Sequence, residues 1–82
     1  MTIDRIREFH MASPFSKFTL HLTDGRSFPV KHPELMMVFP GGRTIIVATE
    51  GDSFQVIDVL MISSIESRVS KGNGRKNGKR KP

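Results

Sequence analysis

The sequence predicts a mainly β fold of the α+β class, in which an N-terminal helix precedes a five-stranded, strongly bent antiparallel sheet that forms a small, partly open barrel. Two observations support this prediction. Apolar residues recur at helical spacing only near the N-terminus, and from residue 18 onward they alternate with a period of two. Turn signals near residues 24, 41 and 51 then divide the chain into short strands at the intervals typical of small barrels and sandwiches.

The helix is predicted to begin after Thr2, whose hydroxyl suits an N-cap position, and to end near Ala12. It ends there because Pro14 biases the preceding residue away from helical backbone angles. A helix this short is marginal alone, so its apolar stripe must pack on the strands that follow. That stripe consists of Ile3, Ile6 and Phe9.

Strands are predicted over residues 18–22, 27–31, 44–49, 53–59 and 62–69, and the stretch 36–39 can add one more. Asp24-Gly25 is a strong hairpin signal between the first two. Pro29 lacks a ladder donor, which places its strand at an edge or at a bulge. The β-branched run from Thr44 to Thr49 is apolar on both faces, which indicates a central strand.

Composition excludes several classes of protein. The chain of 82 residues has no cysteine, so neither a disulfide framework nor a cysteine-ligated zinc site is available. Its N-terminus is charged and amphipathic, and no apolar run approaches the length of a membrane span. These features predict a cytoplasmic protein with no membrane partner.

Charge is divided unevenly along the chain. Residues 1–66 carry six Lys/Arg and all eight Asp/Glu, a formal charge of −2, whereas residues 67–82 carry seven Lys/Arg and no acid. The second segment also has almost no apolar side chains to bury. We therefore predict a folded domain over residues 1–66, followed by a disordered basic tail over residues 67–82.

The overall layout resembles the Sm-like family, including its bacterial RNA-chaperone branch. The likeness covers residues 2–68 and is carried by the turn Leu22-Thr23-Asp24-Gly25 and by the last strand, Ile62-Ser63-Ser64-Ile65-Glu66, which follows a short link. It implies a small barrel and RNA binding. The family's RNA-contacting positions correspond to Pro40–Arg43 and Glu50–Asp52, where no family motif is present, so no binding residue is carried over.

A closer resemblance, over residues 1–66, is to a group of short uncharacterised bacterial proteins. It is carried by Pro14-Phe15, Phe18-Thr19-Leu20-His21-Leu22, Asp24-Gly25-Arg26, Phe28, Val30, His32-Pro33-Glu34, Gly42-Arg43-Thr44, Phe54 and Ile57-Asp58. This resemblance implies a standalone domain and brings no activity with it.

No catalytic arrangement is predicted. The serines lack a nucleophile-elbow motif and the acids are scattered one per turn, so we expect no enzyme and no cofactor. An alternative is that His21 and His32 meet across neighbouring strands with Glu34 as a third metal ligand. Structural histidines are the default interpretation, and we predict no metal site.

The function predicted from these observations is nucleic-acid binding, with RNA favoured over DNA. Four cations near turns are expected to share one rim, and the tail is expected to supply salt-sensitive affinity by neutralising phosphates. Two alternatives remain open: an assembly or protein-interaction module acting through the sheet edges, which includes a homo-oligomer, and a phosphate site at Gly41-Gly42-Arg43. The predicted contacts are Lys17, Arg26, Lys31, Arg43, Arg68, Lys71, Arg75, Lys76, Lys79, Arg80 and Lys81.

Overall fold

The computed structural model describes residues 1–67, which form one α-helix and six β-strands in two three-stranded antiparallel sheets. The predicted mainly β, α+β class is confirmed. The elements are α1 (Ile3–His10), β1 (Phe18–Leu22), β2 (Ser27–Val30), β3 (Met36–Val38), β4 (Thr44–Ala48), β5 (Phe54–Asp58) and β6 (Ile62–Ser67), with 3₁₀ turns at Pro33–Leu35 and Val59–Met61.

Helix α1 forms much as its sequence predicts. The Thr2 hydroxyl accepts a hydrogen bond from the Arg5 N–H at 3.4 Å, which confirms the N-cap. The helix ends at His10, two residues before the predicted limit. Ile6 is fully buried, and Ile3 and Phe9 pack against the core beside it. The helix is therefore held by its apolar stripe rather than by its intrinsic stability.

The two sheets have the strand orders β2-β1-β6 and β3-β4-β5. Strand β4 is central in its sheet, as its apolar run predicts, and β2, which contains Pro29, is an edge strand. The sequence predicts one bent five-stranded sheet, whereas the structure separates β2 from β3. The 3₁₀ turn Pro33–Leu35 lies between them, because Pro33 fixes a helical φ and donates no hydrogen bond.

The core lies between the two sheets and under α1. Alternate residues of β1 and β4 point into it, which confirms the period-two pattern. The buried side chains are Ile6, Phe18, Leu20, Leu22, Val30, Met36, Ile45, Val47, Ile57, Val59 and Ile62. Phe9 and Phe15 both pack on the Phe18 ring, with centroids 5.8 Å away in each case, and so join α1 and the segment after it to β1.

Strand β6 continues to Ser67, one residue into the predicted tail. The predicted disorder of that tail, and its seven cations, lie outside the described residues. Within residues 1–67, no helix has the length and apolar character needed to cross a membrane.

Candidate nucleic-acid interface

Two of the predicted contact residues, Lys17 and Lys31, are brought together by the β1–β2 hairpin. They come one residue beyond the last ladder pair, Phe18–Val30, and both are exposed. Both line a cavity of about 240 Å³, together with Phe18, Thr19, Pro29 and Glu66. The two cations therefore face one shared space at the open end of the hairpin.

The alternation of hydrogen-bonded and non-hydrogen-bonded pairs along the β1–β2 ladder indicates that the Lys17 and Lys31 side chains lie close together. The Leu22 N–H donates to the Arg26 carbonyl at 2.8 Å, so every second pair counted back from it is hydrogen-bonded. Lys17 and Lys31 lie one step beyond the ladder, where its continuation gives the other type of position, in which facing side chains are closest. Like charges directly opposite each other are destabilising. Neither lysine forms an ion pair with an acid among residues 1–67. Their arrangement therefore costs stability unless an anion joins it.

Glu66 lines the same cavity but is bonded elsewhere. The His21 Nε2–H donates to the Glu66 carboxylate at 2.9 Å, because a carboxylate can only accept. In the neutral imidazole this leaves Nδ1 to accept from the Ser27 hydroxyl, 2.8 Å away. The three side chains form a chain of hydrogen bonds across β2, β1 and β6 and hold Glu66 beside the lysines without neutralising them.

Arg26 lies at the opposite end of the hairpin. Its guanidinium Nε donates to the Asp24 carboxylate at 2.9 Å, and its Cζ lies 5.7 Å from the centroid of the Phe28 ring. The Arg26 backbone N–H also donates to Asp24, at 3.1 Å. This backbone hydrogen bond, and then the guanidinium, lower the pKa of Asp24 below its ordinary value.

Arg43 also lies away from the lysine pair. Its carbonyl accepts from Val59, whose 3₁₀ turn continues to Met61, and the Met61 carbonyl accepts from Thr23 in the β1–β2 turn. The structure thus divides the four cations predicted to share a rim into a lysine pair at one end and two arginines toward the other. The Gly42 N–H donates to the Phe39 carbonyl at 2.9 Å, so this donor of the suggested phosphate loop is already used within the turn.

Ser67, the last residue that the structure describes, lies near the lysine pair formed by Lys17 and Lys31. Ser67, the last residue of β6, is the ladder partner of Phe18, which directly follows Lys17. The segment 68–82, whose sequence contains seven cations, is therefore joined to β6 at the end of the sheet where Lys17 and Lys31 lie. Those seven residues themselves lie outside the described range.

Two of the three histidines have structural partners. The His10 Nε2 lies 2.8 Å from the Pro33 carbonyl, which joins the end of α1 to the first 3₁₀ turn, and His21 belongs to the hydrogen-bond chain described above. Within residues 1–67, no three side chains of His, Asp or Glu are grouped so that they could hold a metal ion.

Two features of the site were not predicted from the sequence. One is the hydrogen-bond chain through His21, and the other is a second cavity between the two sheets. The hairpin turn did carry a signal for the first, because counting outward from it places His21 opposite Ser27.

No protein-family model matches this chain, and neither does any curated protein or solved structure.

Proposed function

We propose that this chain is a cytoplasmic, non-enzymatic nucleic-acid-binding module that prefers RNA to DNA and needs no cofactor. In this proposal Lys17 and Lys31 contact the phosphates of the strand, and the basic segment after Ser67 adds affinity. One observation carries the proposal: two cations without an acidic partner among residues 1–67 face one cavity at the end where a segment with seven more begins.

Contact with a phosphate would offset the cost of placing Lys17 and Lys31 side by side. A backbone phosphate between the lysines would relieve their repulsion and would release condensed counterions, which makes binding favourable and salt-sensitive. Arg26 is already paired with Asp24, and it lies at the other end of the hairpin. The proposal therefore rests on the lysine pair, and Arg26 becomes its natural control.

We further propose that the two sheets belong to one partly open, Sm-like barrel. If β2 and β3 are counted as one strand bent at the Pro33 turn, the two strand orders join into a single five-stranded order, β6-β1-β2/β3-β4-β5. The shared core between the sheets supports this reading.

The test is fluorescence anisotropy of the full chain with single-stranded RNA and with DNA of the same sequence across a salt series. The double variant Lys17→Gln/Lys31→Gln should lower the slope of log affinity against log salt by about 1.4, because each lost contact to a single strand removes about 0.7. The control variant Arg26→Gln should leave the slope unchanged. Equal slopes for wild type and double variant would remove the lysine pair from the interface.

A truncation that ends at Ser67 separates the folded part from the tail. Residual binding by the truncated chain that is lost with Lys17→Gln/Lys31→Gln would support the proposal, because it assigns the contact to the folded part. If the truncation binds nothing at low salt, the folded part has a different function.

A second candidate function, assembly through a sheet edge, is favoured by β5. This strand is an edge of its sheet, and its Phe54 and Val56 side chains are 59% and 60% exposed. It contains no proline or lysine to discourage pairing, whereas Pro29 protects the edge of β2. Sedimentation of the full chain tests this candidate.

A further inference from the structure

A second cavity, of about 380 Å³, opens between the two sheets next to the lysine pair. Phe28, Leu35 and Val47 supply apolar lining, while Lys31, Thr49 and Glu50 supply polar groups. Pro29 and Lys31 line both cavities, so the two are neighbours. The volume falls in the range of small-ligand pockets, which are mostly apolar with a few placed polar groups.

We propose that this cavity holds one unstacked base of the bound strand, and that the base is guanine. The inference rests on the proposed function, because the phosphate next to that base lies between Lys17 and Lys31. A base extruded from a single strand is held by apolar contact with its faces and by hydrogen bonds to its Watson–Crick edge. The apolar lining supplies the contact with the base faces, and Thr49 and Glu50 supply the hydrogen bonds to the edge.

The chemistry of Glu50 selects the base. A carboxylate only accepts hydrogen bonds, and it has two oxygens that can accept side by side. Guanine presents two adjacent donors on its Watson–Crick edge, N1–H and N2–H. Adenine and cytosine each present one donor beside an acceptor, and uracil presents one donor between two acceptors. Guanine is therefore the base that satisfies both carboxylate oxygens.

Glu50 is free to make this contact. Its side chain forms no hydrogen bond and no ion pair within the described part of the chain. Its backbone carbonyl instead accepts from the Ser53 N–H at 3.2 Å, which holds the β4–β5 turn in place. The turn is thus fixed by its backbone, and Glu50 lines the cavity as an exposed residue whose carboxylate has no partner among residues 1–67.

The test is fluorescence anisotropy of the full chain with three oligouridylates that differ only at the central position, which carries guanosine, uridine or an abasic residue. Because a bidentate contact to a base edge discriminates by about tenfold or more, the guanosine oligomer should bind about tenfold more tightly than the uridine one. In Glu50→Gln that preference should fall to nearly one.

The matched control is Asp52→Asn. It removes the same charge from the same turn, but Asp52 does not line the cavity, so the preference for guanosine should persist. Equal affinity of the wild type for all three oligomers would overturn the base pocket and leave the proposed function standing. An equal effect of Glu50→Gln and Asp52→Asn would also overturn it. Failure to bind any of the oligomers would overturn both proposals.

Discussion

The Glu66 carboxylate accepts a hydrogen bond from the His21 imidazole, with 2.9 Å between Oε1 and Nε2, although Lys17 and Lys31 line the same cavity as Glu66. The two residues sit diagonally across the β1–β6 ladder, where side chains of this length reach each other. The Glu66 carboxylate is thereby held by His21 of β1 and does not pair with Lys17 or Lys31. The charge of these two lysines remains available to an anion.

Replacement of His21 should therefore weaken nucleic-acid binding. In His21→Phe the carboxylate loses its partner and can approach a lysine, so it competes with phosphate. We expect the salt slope of RNA binding to fall by about 0.7, which corresponds to the loss of one phosphate contact to a single strand. The measurement is the same anisotropy salt series, carried out on the full chain.

Two further variants check this explanation. Ser27→Ala removes the other hydrogen bond of the imidazole but leaves the bond to Glu66, so it should bind like wild type. His21→Phe/Glu66→Gln should recover the slope, because the released group no longer carries a charge. If the double variant stays as weak as His21→Phe, His21 acts in some other way.

The Gly41-Gly42 pair gives a matched test of backbone conformation. Gly42 has φ +75°, in the left-handed region, and an added Cβ would lie 3.5 Å from Ile3 Cγ2, an ordinary contact. Gly42→Ala should therefore lower the free energy of unfolding by about 1–2 kcal/mol through backbone strain alone. Urea denaturation measures the change.

Gly41→Ala is the control. A Cβ at Gly41 meets no atom within 4 Å, and its φ is outside the left-handed region. The free energy of unfolding of Gly41→Ala should stay the same as that of wild type or rise slightly, because alanine reduces the conformational freedom of the unfolded chain. Equal losses for the two variants would mean that the positive φ of Gly42 is not what limits this turn.

The lowered pKa of Asp24 predicts a pH dependence of stability. Because the folded-state value lies below the unfolded one, the stabilisation is present above about pH 4 and is lost as the pH falls through the folded pKa. In Asp24→Asn an amide oxygen can still accept from the Arg26 N–H, but the charge is lost. The difference in unfolding free energy between wild type and variant should shrink on acidification. The same comparison in an Arg26→Gln background should show a smaller trend, because the guanidinium that helps to lower the Asp24 pKa is gone.

Local features of this fold follow from the sequence because neighbouring residues determine them. The Thr2 cap, the hairpin turn at Asp24-Gly25 and the buried alternation of β1 each depend on a few adjacent residues. The opposition of Lys17 and Lys31 also follows, once the turn sets the register and pairs are counted outward from it.

Contacts between distant segments do not follow in this way. The bond between His21 and Glu66 depends on the β1–β6 register, which joins residues 45 positions apart and shifts between His21 and Leu22. The separation of Arg43 from the lysine pair depends on how the second sheet meets the 3₁₀ turn at Val59. Turn position alone therefore suggested one rim where the fold has two groups of cations.

The exposed edge of β5 gives the last prediction, that the full chain self-associates through this strand. Val56 is its central residue and is 60% exposed, so Val56→Lys should leave the core intact. A lysine there places a charge in the middle of a paired edge, which discourages strand addition. We expect wild type to sediment as an oligomer and Val56→Lys to sediment as a monomer.

Met37→Lys distinguishes the edge of β5 from the outer face of its sheet. Met37 is 53% exposed and lies across that face from Val56, because both are ladder partners of Ile46. It belongs to β3, the opposite edge. If association uses the β5 backbone, Met37→Lys should remain oligomeric. If both variants become monomers, the apolar face is the interface, and a monomeric wild type would exclude assembly through either surface.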